Sequence, residues 1–251
     1  MAVPFLTRAQ IVELCRFCRL SDREARSDLI LGTIVSENDY TSNFTGALRR
    51  NINSYSNTGL TATSRLLTPK LERTTGCDAA IVVQADRFAK VLLIKGKWPK
   101  ISIPNHTWDW RQTAAGHSHF SDQLARQALY IHQYAIAQMF YCELPFAKQP
   151  SYMNSNGSSC VWHADAVAHD GTRPGSPLVW SQADLIDMLR KGALSIEHIV
   201  AQECLCNAGS RLDFPGLMSL DRWDFHLPTN VLLIAAEPGE ARAALEWQRE
   251  E

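Results

Sequence analysis

Residues Asp78–Lys100 read DAAIVVQADRFAKVLLIKGKWPK. Two short runs rich in Ala, Val, Leu and Ile flank the polar break Ala85-Asp86-Arg87. Runs of this length, bounded by turn residues, predict two adjacent strands of a central sheet. A strand has a period of two, so Leu93, Lys95 and Lys97 share one face of the second strand. Leu92, Ile94 and Gly96 share the other. One face is therefore apolar, and the other finishes in two cations. In a hairpin the start of the first strand lies beside the end of the second, which predicts that Asp78 and Lys97 converge at one end of the sheet.

Working outward, Thr7-x-x-Gln10 and Ser21-x-x-Glu24 are capping-box patterns. They predict two helices, IVELCRFCRL and ARSDLILGTIV, with Glu37 at the end of the second. A third helix is expected over Thr41–Tyr55. Residues 56–76 are polar and predict an extended connection with an edge strand near Arg65–Leu71. Downstream, IPNHTWDWRQTAAGHSH has no period and reads as a loop. Leu124, Ala128, Ile131, Ala135 and Met139, at three-to-four spacing, predict a long helix from about Phe120 to Phe140. SCVWHADAVAH alternates and predicts a strand. SQADLIDMLRKG predicts a capped helix, TNVLLIAAE a strand, and PGEARAALEWQRE a last helix opened by proline. The sum is a single α/β domain with a helical N-terminal extension. Its core covers roughly residues 20–170, with 175–251 packed on it.

The 251 residues are 45% hydrophobic, enough for one substantial core. No apolar run reaches the length needed to span a bilayer. The N-terminus lacks a basic region followed by an apolar one, so no signal peptide is expected. Seven scattered cysteines, an odd number, point to reduced thiols and a cytoplasmic setting. The net charge of −1 hides an asymmetry, because Phe44–Lys100 holds ten Lys/Arg against three Asp/Glu. That distribution fits one basic surface on an acidic body, or else a solvated charged face.

A carboxylate and a lysine meeting at a sheet end suit phosphodiester hydrolysis. A divalent metal polarises the phosphate and activates water. Mg²⁺ takes oxygen ligands. A lysine stabilises the charge that develops, and Gly96 offers a metal or phosphate close access to the backbone.

On these residues the chain resembles the PD-(D/E)XK, or restriction-endonuclease-like, nuclease superfamily. Its members carry an acidic residue at a strand start and an acidic-x-Lys triplet at the end of the next strand. Many add a Glu from a preceding helix and polar residues on the following one. The resemblance covers roughly residues 20–140, and more loosely 160–168. It implies a restriction-endonuclease-like central mixed sheet flanked by helices, and a metal-dependent DNA endonuclease. Asp78, Lys95, Lys97, Glu37, Gln123 and Gln127 are the implied catalytic set. Mg²⁺ (or Mn²⁺) is then held by Asp78, Glu37 and the Gly96 carbonyl, with Lys97 on the attacking water. Arg49, Arg50, Lys70, Arg73 and Lys100 are expected to touch phosphates, making binding salt-sensitive. The implied partners are double-stranded DNA and a second copy or another protein of a defence or repair system.

The chain departs from the pattern twice. Cys77 stands where the motif has proline. Lys95 stands where it has Glu or Asp, and an ammonium has no acceptor to offer a metal. Two lysines a few ångströms apart also repel each other and Mg²⁺, by an energy that scales as 1/(ε·r). Three readings follow: an inactivated variant of a nuclease, since one base change converts a Glu codon to Lys; a non-catalytic nucleic-acid-binding or scaffold protein on a degenerate nuclease fold; or a different register. Residue by residue, plainer readings stand beside these. Asp78 also suits a turn at a strand start, Glu37 a solvated helix end, and the two lysines an edge that resists aggregation. Four cysteines, Cys15-x-x-Cys18 and Cys204-x-Cys206, suit zinc if the chain ends meet. His117, His119 and His163 are a weaker metal set, and His198 with Asn230 faintly resembles a His-Asn-His nuclease. Trp108 and Trp110, near Arg111, suit either base stacking or anchoring of their loop.

Overall fold

The computed structural model describes residues 5–66, 75–103, 108–109, 117–176, 178–214 and 227–236. Helix α1 (Arg8–Ile30) opens with the expected capping box, Thr7 accepting from the Gln10 N–H and Gln10 returning to the Thr7 N–H. The second box does not start a helix. Ser21 lies inside α1, buried, where its hydroxyl accepts from Asn51 at 3.0 Å. The apolar stripe Leu14, Phe17, Ala25 and Leu29 runs unbroken through it, and tertiary burial overrides the local cap. Gly32, at φ 76°, takes the left-handed conformation just past the end of α1.

Helix α2 (Glu37–Tyr55) begins earlier than expected, capped by Ser36, whose hydroxyl accepts from the Asp39 N–H. Glu37 is therefore the first residue of α2, not the last of the helix before it. Strand β1 (Leu60–Leu66) also lies upstream of its expected position, although it is an edge strand as anticipated.

The hairpin that decides the fold is present. Strands β2 (Ala79–Ala85) and β3 (Phe88–Lys97) pair antiparallel across a two-residue turn in which Asp86 has φ 52°. After β3 the long helix expected from Phe120 to Phe140 breaks in two. Helix α3 (His119–Gln127) is followed by a single 3-10 turn and by strand β4 (Ala135–Phe140). All six residues of β4 are buried between β3 and β5 (Ser159–Trp162). A strand covered on both faces is apolar at nearly every position, here all but Gln138, and helical spacing matches such a run by coincidence. The run read as one strand at Ser159–His169 likewise splits, into β5 and helix α4 (His163–Thr172).

Helix α5 (Gln182–Gly192) has the anticipated Ser181 capping box, and helix α6 (Ile196–Cys204) follows. The two-residue β6 (Leu212–Asp213) pairs with β3, and β7 (Asn230–Ala236) is the last strand expected. The helix expected at Pro238–Glu250 lies outside the described residues.

The chain is an α/β protein with six described α-helices and a mixed seven-stranded sheet in the order β1-β7-β2-β3-β4-β5. The sheet does not close into a barrel. Strands β3 and β4 run parallel, joined across the sheet by α3. On one face Ile81, Val83, Leu92 and Ile94 pack under α1, α2 and α6. On the other, Val82, Val91 and Leu93 meet Tyr134 and Ile136, while Phe120, Phe140, Trp180 and Leu185 form a second cluster with α3 and α5. A buried polar tie fastens α1 to the β4–β5 connection. Asp22 accepts from the Ser158 N–H and hydroxyl at 2.6 Å each, and Arg26 donates to the carbonyls of Cys142, Leu144, Asn154 and Gly157. Among the described residues, no helix is long and apolar enough to cross a membrane.

Candidate functional site

The register of the hairpin pairs Ala79 with Ile94, which sets Asp78 directly opposite Lys95 rather than Lys97. The expected partner is thus wrong by one position on the same face. Lys95 Nζ lies 2.6 Å from Asp78 Oδ1 and 3.9 Å from Glu37 Oε2. The second Asp78 oxygen accepts from the Gly96 N–H at 2.7 Å, and Glu37 Oε1 accepts from the Trp98 N–H at 2.9 Å. Helix α2 supplies Glu37 because its first two turns are locked to the sheet. Tyr40 stacks on Tyr141 at 3.7 Å between ring centroids, and the Thr41 hydroxyl is 2.9 Å from that of Tyr141.

The anticipated repulsion between the two lysines falls on one of them. Burial works against the Lys95 ammonium, but Asp78 and then Glu37 outweigh it and hold its pKa above the ordinary lysine value. For Lys97 the same carboxylates, with Asp109, are outweighed. Burial first, and then the charge on Lys95, lower its pKa to about 8. Its Nζ sits 5.7 Å from the centre of the Phe120 ring. It makes no hydrogen bond or ion pair among the described residues. Burial, with Lys97 and Arg126 adding to it, lowers the His119 pKa to about 4, so that imidazole is neutral at physiological pH.

Glu37, Lys95, Lys97, Lys100 and Gln123 line one cleft of about 390 Å³, walled also by Val35, Ser36, Trp98, Trp108 and His119. The expectation that Asp78, Glu37 and Lys97 meet around one pocket holds in part: Asp78 lies behind Lys95. Gln127 does not reach the cleft. It is fully buried, accepting from Gln138 at 2.7 Å, with His163 Nδ1 3.2 Å from the same oxygen. Arg49 and Arg50 are exposed on α2, more than three turns beyond Glu37. At 1.5 Å per residue that is roughly 18 Å along the helix, so they do not belong to the cleft. Lys70, Arg73, Trp110 and Arg111 lie outside the described residues. Trp108 follows the anchoring reading, packing edge-on against Phe120, Phe140 and Trp180.

Sequence reading passed over Glu143, which organises the rim. It accepts from the Trp98 indole N–H at 3.0 Å and from the Ser102 backbone N–H, bracing a turn in which Lys100 has φ 48°. A carboxylate distant in sequence gives no local signal of that role. Gly96 also answers a packing need. A Cβ there would lie 1.8 Å from the Tyr141 hydroxyl and 3.1 Å from Asp78 Oδ2, so the glycine makes room for Tyr141. Gly96→Ala is expected to cost about 2 kcal/mol by overpacking, measured by urea unfolding against the parent chain.

The residues present do not fit Mg²⁺ or Mn²⁺. Such an ion needs about six oxygens at close range. Here both Asp78 oxygens and one Glu37 oxygen are engaged, and position 95 contributes a cation in place of a ligand. Among the described residues no group of three or more His, Cys, Asp or Glu side chains is placed to hold a metal ion. His198 stands exposed on α6, whereas Asn230, on β7, donates to Thr45. Comparison with family models, with curated proteins and with solved structures finds no match to this chain.

Proposed function

We propose that the chain is a nucleic-acid-binding protein built on the site plan of a PD-(D/E)XK-type DNA endonuclease, with the cation position filled by its own Lys95 ammonium. One observation carries the reading: Lys95 Nζ lies against Asp78 and Glu37, the two carboxylates assigned to the metal, on the floor of a cleft shared with Lys97. The order of elements supports it too: a helix bearing Glu37, then the hairpin, then α3 bearing Gln123, then a strand parallel to β3.

An ammonium supplies positive charge but no coordination position for a water. This chain therefore binds phosphate and does not cut. Lys95→Glu removes the internal cation and adds a carboxylate at the same position. In Mg²⁺ or Mn²⁺ it is expected to nick or cleave DNA at least about 10²-fold faster than the parent chain, an effect of the size of one strong electrostatic contribution to catalysis. A folded Lys95→Glu protein that stays inert on duplex and single-stranded DNA with either metal would remove the nuclease reading.

The second reading, a binding or scaffold protein in which Lys95 is native and no metal site underlies it, is supported by how well Lys95 is satisfied: it is a paired, hydrogen-bonded cation. Calorimetry separates the two, since Mg²⁺ uptake that appears on Lys95→Glu belongs to the first reading alone.

A further inference from the structure

Two polar side chains on the cleft floor are incompletely hydrogen-bonded among the described residues. Lys97 is 5% exposed, and its ammonium makes no hydrogen bond or ion pair among the described residues. Gln123 is also 5% exposed, and its side-chain oxygen Oε1 has no hydrogen-bond partner among the described residues. Buried polar groups in native proteins are normally satisfied, and a buried charge strongly so. The neighbouring groups do not meet the need. Lys95 holds Asp78 and faces Glu37. Asp109 gives its oxygens to the Ser118 hydroxyl and to the backbone N–H groups of Phe120 and Trp180. Lys100 stands at the rim with its Nζ 5.1 Å from the centre of the Trp98 ring and, among the described residues, makes no ion pair.

We propose that Lys97, Gln123 and Lys100 form a seat for one terminal phosphate group, so that nucleic acid is gripped here by a phosphorylated strand end. The proposal rests on the nucleic-acid reading above and narrows it. Charge is the first argument. Lys95, Lys97 and Lys100 outnumber Asp78 and Glu37 by one, so the cleft floor carries an excess of positive charge that suits an anion.

Shape is the second argument. The cleft, at about 390 Å³, is the size of a small-ligand pocket. A phosphate within a strand has a sugar on either side and must lie along a surface. A terminal phosphate has one sugar and three outward oxygens, and it can reach the ammonium of a lysine that is 5% exposed. Chemistry is the third. Lysine is a compact three-donor cation suited to phosphate, and the Gln123 amide adds a neutral donor.

The test uses the full chain and one fluorescent oligonucleotide prepared with a 5′-phosphate, with a 3′-phosphate, or with hydroxyls at both ends. Anisotropy is expected to show one phosphorylated form binding at least about tenfold more tightly than the hydroxyl form, and the two phosphorylated arms tell which end is held. Lys97→Met is expected to abolish the preference, and Lys97→Arg to retain part of it, with folding of both checked by thermal melts. Equal affinity for all three forms, or a preference that survives Lys97→Met, overturns the seat.

Inorganic phosphate alone gives a readout that does not depend on DNA. It should perturb the tryptophan fluorescence of the parent chain and leave that of Lys97→Met unchanged, and no response in the parent counts against the seat. If the parent binds no DNA at low salt while phosphate still responds through Lys97, the nucleic-acid reading fails and the anion seat stands.

Discussion

Asp78→Ala is expected to destabilise the protein by about 3–5 kcal/mol, the usual cost of stripping a buried ion of its partner. Lys95 is left with Glu37 at 3.9 Å, a carboxylate whose side chain is one-third exposed. It also loses the 2.6 Å charge-assisted bond to Oδ1, while the Gly96 N–H loses its acceptor. In a chain of this length that corresponds to a fall in Tm of roughly 10 °C. Adding Lys95→Met to the same background removes the uncompensated charge and should recover most of the loss. Urea unfolding of the four proteins closes a double-mutant cycle with a coupling of a few kcal/mol.

The direction of this effect is diagnostic. In a site where carboxylates stand close together awaiting a cation, removing one relieves repulsion and stabilises the apo-protein. If Asp78→Ala proves neutral or stabilising, Lys95 does not occupy the cation position, and the proposed function loses its main support.

Lys97→Met is expected to stabilise the chain, on the order of 3 kcal/mol at pH 7, because a lysine pKa lowered from 10.5 to about 8 measures the cost of keeping the buried group charged. Below pH 8 the folded state carries that cost in full and the unfolded state carries none. Between about pH 8 and 10.5 the unfolded chain binds more protons than the folded one, so the stability of the parent rises with pH across that window. The advantage of Lys97→Met should therefore be greatest at and below pH 7 and fade towards zero near pH 10.5. Denaturant melts of both proteins at pH 6.5, 9 and 10.5 read the difference directly. A variant less stable than its parent at pH 7, or a gap that does not change with pH, contradicts a Lys97 whose burial outweighs its neighbouring carboxylates. The same substitution is expected to abolish the phosphate preference, so the group that binds the ligand is one the fold holds at a cost. That is the common relation between function and stability at sites kept open for a partner.

The hairpin was legible because strand period, β-branched content and a turn residue all agree over Asp78–Lys97. The alternation placed Lys95 and Lys97 on the face that became the cleft floor, and Glu37, Lys100 and Gln123 were also found from sequence. Errors arose where burial on two sides erased the pattern. Ala135–Phe140 carries no alternation to reveal a strand, because β3 and β5 cover its edges and apolar layers cover both faces. Ser21 and Glu24 form a sound local cap that packing against α2 renders irrelevant. Gln127 has the residue type of a site group, yet Cys77, Gln138 and His163 engage it in the interior.

By itself, then, the sequence determined the elements whose signal is local: the capped start of α1, the β2–β3 hairpin, the face on which its lysines project, and the basic bias between Phe44 and Lys100. These depend on dihedral preference, side-chain period and charge, all of which act over a few residues. Which carboxylate meets which lysine was decided only by the tertiary structure. A single register, Ala79 beside Ile94, brings Asp78 to Lys95, and the packing of Tyr40 on Tyr141 brings Glu37 to the same ammonium. Pairing at that range is set by how the layers close over the sheet, and closure is a property of the whole core.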